Sequence, residues 1–135
     1  MTRRLHTVES GAPWEATYGY SRARVVDDRI FVAGTAPVMP PGEPLPADPA
    51  AQARRCLEII GAALQEAGSG LEDVVRTRFY LVRAKDFEPV GRAHGEVFGS
   101  IRPVTTGVVV AGLREPDWLV EIEADAVLGA GLGAA

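Results

Sequence analysis

Ile101-Arg102-Pro103-Val104-Thr105-Thr106-Gly107-Val108-Val109-Val110, with Val120-Glu121-Ile122-Glu123-Ala124 following it, joins a proline-opened valine run to a stretch of alternating apolar and acidic residues. Proline has a fixed φ and no N–H to donate, so Pro103 can open a strand but not sit inside one. The residues after it, 104–110, are rich in valine and predict a strand. Valines fall on both of its faces, as expected of a strand covered on both sides. Residues 118–128 predict a second strand. Its two-residue period sets Glu121, Glu123 and Asp125 on one side and apolar residues on the other.

Working outward, 20–25 and 29–33 read as two strands joined by a tight hairpin at Asp27-Asp28, and Gly34 ends the second. Residues 37–46 hold five prolines and a glycine, which excludes a helix and predicts a surface loop. A helix follows: Asp48 caps it, Pro49 suits its first turn, and Gly68 stops it. Ala53, Cys56, Leu57, Ile60, Ala63, Leu64 and Ala67 repeat along it at helical spacing and form its buried stripe. Residues 74–82 predict another strand, with Arg76, Arg78 and Tyr80 on one face. Residues 86–98 predict a second helix, opened by Asp86 and closed by Gly99. The Gly/Ala tail, 129–135, is expected to fray.

The order is β-β-α-β-α-β-β, an α+β arrangement with a mixed sheet and two helices on one face. Two helices cover one face of such a sheet, so the other needs a partner, and self-association is expected.

The chain has 135 residues and is expected to form one domain, its core at about 14–127. Its balance of 47% hydrophobic and 24% charged residues is that of a globular protein. The net charge of −4 argues against general nucleic-acid binding, which needs a basic surface. No apolar run reaches the roughly 20 residues of a membrane span, and no apolar segment follows the basic N-terminus as in a signal peptide. The one cysteine, Cys56, forms no internal disulfide, which fits the cytoplasm. On an apolar stripe it reads as an inert buried thiol. His6 and His94 are the only histidines and lie far apart, so no metal site is expected.

The candidates for chemistry are polar groups brought together by strand alternation. A carboxylate such as Glu121 can orient water or shuttle a proton, and an arginine can hold a carboxylate through two hydrogen bonds. Arg22 with Tyr20, and Arg78 with Arg76, each share a strand face. The plainer reading of these rows is solvated cross-strand ion pairs. Gly34 permits positive φ or close approach to a ligand. His94, on the second helix, reads as a partly exposed histidine without chemistry or, because the reference pKa of histidine is near neutral, as a candidate acid or base. Trp14-Glu15 reads as either a flap over a pocket or packing at the sheet edge.

Taken together, Gly19-Tyr20-Ser21-Arg22-Ala23, Val32-Ala33-Gly34-Thr35-Ala36-Pro37, Gln52-Ala53 through Leu57, Ala67-Gly68, Leu71-Glu72-Asp73-Val74-Val75, Arg102-Pro103 and Val120-Glu121-Ile122-Glu123-Ala124 resemble the RidA/YjgF family, the reactive intermediate deaminases. The resemblance implies a chorismate-mutase-like fold, a homotrimer, and ligand sites in clefts between subunits. It implies hydrolysis of enamines and imines without a cofactor. Deaminating members bind the substrate carboxylate with an arginine two residues after the strand-opening proline. A glycine backbone assists, and a glutamate on the last strand positions water. Gly34 and Glu121 fill the latter two roles, and Tyr20 lines the cleft.

Thr105 stands where the arginine is expected, so the chain resembles an arginine-lacking subgroup. Classical 2-imino acids should then bind poorly, unless Arg22, Arg78 or Arg102 reaches the cleft. Candidate substrate contacts are Tyr20, Gly34, Thr105, Thr106, Arg22, Arg78 and His94, with Glu121 catalytic. Two functions follow: an enzyme acting on a small imine, enamine or related metabolite, or a non-catalytic trimer binding a metabolite or a protein. Ribonuclease activity, known from some members, sits badly with the acidic balance.

Overall fold

The structure, a computed structural model, describes residues 3–131. Its six strands are β1 (Leu5–Val8), β2 (Ala23–Val26), β3 (Arg29–Thr35), β4 (Val74–Leu81), β5 (Val104–Val109) and β6 (Val120–Val127). They form one mixed sheet in the order β1-β2-β3-β6-β4-β5. The β4–β5 pair is parallel and the other pairs are antiparallel. The α+β class is as expected. The strand order was not evident from the sequence, because β4 lies between the consecutive strands β5 and β6.

Three α-helices accompany the sheet: α1 (Pro13–Tyr18), α2 (Pro49–Glu66) and α3 (Phe87–Phe98). Helix α2 follows the sequence closely. The Asp48 side chain accepts a hydrogen bond from the Ala51 N–H at 3.0 Å, and Pro49 occupies the first turn. Gly68, at φ +86, takes the left-handed conformation that ends the run. All seven stripe residues are buried. They pack with Val120, Ile122, Ala124 and Ala126 of β6 and with Val25, Ile30 and Val32 of the β2–β3 hairpin. Cys56 is fully buried, and burial pushes its thiol well above the usual range, as an inert thiol requires.

Several expectations need correction. The first predicted strand begins at Ala23, so Tyr20 and Arg22 precede it. Residues 5–8, unassigned from sequence, form the edge strand β1. Trp14-Glu15 belongs to the short helix α1. Asp86 does not cap α3 through its side chain, because Arg83 holds that carboxylate at 2.8 and 3.1 Å. Of the tail expected to fray, residues 132–135 lie outside the described part. Gly131 donates its N–H to Asp73 Oδ1 at 3.3 Å, and Ala130 donates to the Val127 carbonyl.

The sheet face away from α2 and α3 carries the charged rows. Arg78 lies 3.6 Å from Glu123 and 3.7 Å from Asp125, and Arg76 lies 4.0 Å from Asp125. The Tyr80 hydroxyl donates to Glu123. Exposed Phe31, Val104 and Val108 interrupt these charges. This face is therefore partly apolar, and none of the described elements covers it.

Candidate functional site

The site is built around a defect in the β3–β6 ladder. Pairing is regular from Arg29↔Val127 to Val32↔Ala124, then shifts before Thr35↔Ile122. Such a bulge frees backbone carbonyls from the ladder. Here the freed groups are Ala33 and Gly34, and one guanidinium nitrogen of Arg22 donates to both, at 3.0 and 2.7 Å. The Arg22 Nε is buried and has no hydrogen-bond partner among the described residues.

Glu121 projects from β6 across this bulge. A Cβ built on Gly34 would lie 2.5 Å from Glu121 Oε1, so glycine is what lets the carboxylate rest against the β3 backbone. Gly34 serves by close approach, not by the positive φ also considered for it, since its φ is outside that region. Burial pushes the Glu121 carboxyl above the usual carboxylate range; Arg22 opposes the shift and Glu123 adds to it.

These groups open onto a cavity of about 880 Å³. Tyr20, Arg22, Gly34 and Glu121 all line it, four of the eight residues singled out from sequence. Its walls also include Trp14 and Tyr18 of α1, and Arg114 and Trp118 from the segment before β6. Glu15, buried at the base of α1, accepts from the backbone N–H and hydroxyl of Ser10, which pins the start of that helix. Sequence reading missed Arg114 and Trp118, whose place depends on the long-range contact between that segment and α1.

Thr105 and His94 lie elsewhere, beside a second cavity of about 340 Å³ that Arg102 also lines. The parallel register sets Thr105 beside Thr77, and their hydroxyls hydrogen-bond at 2.7 Å. His94 Nε2 lies 2.8 Å from the Thr77 hydroxyl. Burial lowers the proton affinity of the imidazole, which packs on Phe98 with centroids 4.6 Å apart. Position 105 is thus part of a hydrogen-bond chain, Thr105–Thr77–His94, with no charged member at neutral pH. Arg78 and Thr106 lie on the open sheet face, where Arg78 faces Glu123 and Asp125. Neither lines the Glu121 cavity.

Among the described residues no three His, Cys, Asp or Glu side chains converge as a metal site, and no helix is long and apolar enough to cross a membrane.

The mixed sheet backed by two helices, with a glutamate over a strand glycine in a cavity wall, defines a class of small α+β proteins. Residues 10–128 match the family described as Endoribonuclease L-PSP, and the chain belongs to that family, the RidA/YjgF proteins. It is 43% identical to protein SCO2049 of Streptomyces coelicolor over 129 residues, 93% of this chain and 94% of that one. It is 36% identical to the 2-iminobutanoate/2-iminopropanoate deaminase of Escherichia coli over 101 residues, 73% of this chain and 78% of that one. Among solved structures, Rv2704 of Mycobacterium tuberculosis, a member of the YjgF/YER057c/UK114 family, superposes with a TM-score of 0.84 at 43% identity, covering 93% of this chain and all of that one (100%).

Proposed function

We propose that this protein hydrolyses a small imine, or an enamine through its imine tautomer, in clefts between the subunits of a homotrimer. The observation that carries the reading is the Glu121 carboxylate, partly withdrawn from water, lying over Gly34 in the wall of a cavity that Tyr20 and Arg22 also line. A carboxylate so placed accepts a proton from water as the water oxygen bonds to the imine carbon. Glu121 gives that proton up to the imine nitrogen, which restores the carboxylate. The resulting carbinolamine then expels ammonia and leaves the carbonyl product. Every step is a proton transfer or an addition–elimination, so no cofactor is required. The protein acts as a RidA-like domain in the cytoplasm on a small metabolite, apart from nucleic acid and membranes.

The trimer rests on two supports. The open sheet face keeps Phe31, Val104 and Val108 exposed, at 45, 58 and 42%. Glu121 and Thr105 also line different cavities of one chain. A site that used both would take them from neighbouring copies. Sedimentation at micromolar concentration is expected to give a trimer, and a monomer alone would sink the inter-subunit cleft.

The substrate is not a classical 2-imino acid, because Thr105 offers a neutral hydroxyl already bonded to Thr77. The test is hydrolysis of a panel of imines, with 2-iminobutanoate among them. Turnover is expected on other imines and little on 2-iminobutanoate. No rate above background on any member would overturn the enzymatic reading and leave a binding trimer. Thr105→Arg should raise kcat/KM for 2-iminobutanoate about 10- to 100-fold, the effect of one charged hydrogen bond. An unchanged value would show that the missing arginine is not what limits that substrate.

A further inference from the structure

Three arginines line the Glu121 cavity, and two of them are committed. Arg22 donates to the carbonyls of Ala33 and Gly34. Arg55 donates through Nε to the Val38 carbonyl at 2.7 Å and pairs with Glu58 at 3.3 Å. Arg114 differs from both. Its guanidinium carbon lies 4.8 Å from the Trp14 ring centroid and 5.1 Å from that of Tyr18. One terminal nitrogen donates to the Tyr18 hydroxyl at 3.0 Å. Among the described residues no carboxylate lies within ion-pair distance of it.

We propose that Arg114, held by Trp14 and Tyr18, is the anion-binding residue of this cavity, and that the ligand is a small monocarboxylate with an apolar or aromatic body. A guanidinium has five N–H donors in its plane. Aromatic rings engage its π-faces, so stacking leaves the in-plane donors free, apart from the one on Tyr18. The two rings restrict the side chain before a ligand arrives, so less freedom is lost on binding. Trp118 and Tyr20 supply apolar wall beside it. At about 880 Å³ the cavity exceeds what a four-carbon imino acid fills. The anchor absent at position 105 is thereby supplied from another place, in a cavity with room for a longer molecule.

This assignment rests on the Glu121 cavity being the ligand site, and its test does not depend on turnover. The probes are 3-phenylpropanoate and its neutral amide, titrated calorimetrically into the wild-type oligomer. Wild type is expected to bind the carboxylate about tenfold or more tighter than the amide, the effect of a charge-assisted pair. Arg114→Gln and Arg114→Met should bind the two probes equally and keep the amide affinity within about threefold, because methionine preserves packing on the rings. Equal binding by wild type, no binding of either probe, or a preference that survives in both variants would overturn the proposal. Loss of amide binding in both variants would overturn it too, by making Arg114 a clamp on α1. Glu121→Gln should retain the carboxylate preference. A wild type that shows the preference but hydrolyses no imine would sink the hydrolase and leave the anion site standing.

Discussion

Glu121→Gln is expected to lower the turnover of any imine this protein hydrolyses by about 10²- to 10⁴-fold, the usual contribution of a positioned acid–base group. Glutamine keeps the volume and one oxygen over Gly34 but cannot accept the proton of the attacking water. Substrate binding should change little, so the loss falls on kcat. The pH profile gives a second readout. Burial raises the proton affinity of Glu121, so the acid limb of wild-type kcat/KM should lie above the ordinary glutamate value of about 4.3. The limb should vanish in the variant. Stability should move the opposite way. The folded state holds this proton more tightly than the unfolded chain, so wild type loses stability relative to the variant as pH rises through that window. Full activity in Glu121→Gln would remove Glu121 from the mechanism.

The parts of this molecule legible from sequence are those fixed by local chemistry. Helix α2 announced itself because Asp48, Pro49 and Gly68 act within a turn of their own positions and its stripe repeats every three or four residues. Glu121 was placed on the right face by alternation alone. Strand β1 was invisible because four residues, of which only Val8 is buried, carry too little pattern. Helix α1 was invisible because six residues that include two aromatics are a weak helix; Ser10, bonded to Glu15, and the Arg114 stack hold it from outside. The division of the candidates among two cavities and the open sheet face depends on β4 lying between β6 and β5. That is a long-range pairing, and neither strand's own residues encode it.

The second large effect falls on stability. Gln52 is almost fully buried on α2, and its side-chain amide bridges two loops. Its Nε2 donates to the Pro46 carbonyl at 2.8 Å and the Asp117 carbonyl at 3.1 Å, and its Oε1 accepts from the Leu119 N–H at 2.8 Å. One donor nitrogen and one acceptor oxygen match two carbonyls and an N–H, which only an uncharged amide does. Gln52→Met keeps the shape and removes all three bonds, stranding part-buried backbone groups at a cost of about 2–4 kcal/mol. In urea at fixed protein concentration the midpoint should fall accordingly, with an unchanged slope. A loss below about 0.5 kcal/mol would show that the loops do not depend on this residue. The same bonds tie down the segments that carry Val38, Arg114 and Trp118 into the cavity. The variant, tested well below its melting temperature, should therefore also bind 3-phenylpropanoate more weakly, although Gln52 is not among the residues lining that cavity. Buried outside the cavity lining, this amide couples the stability of the fold to the shape of the site.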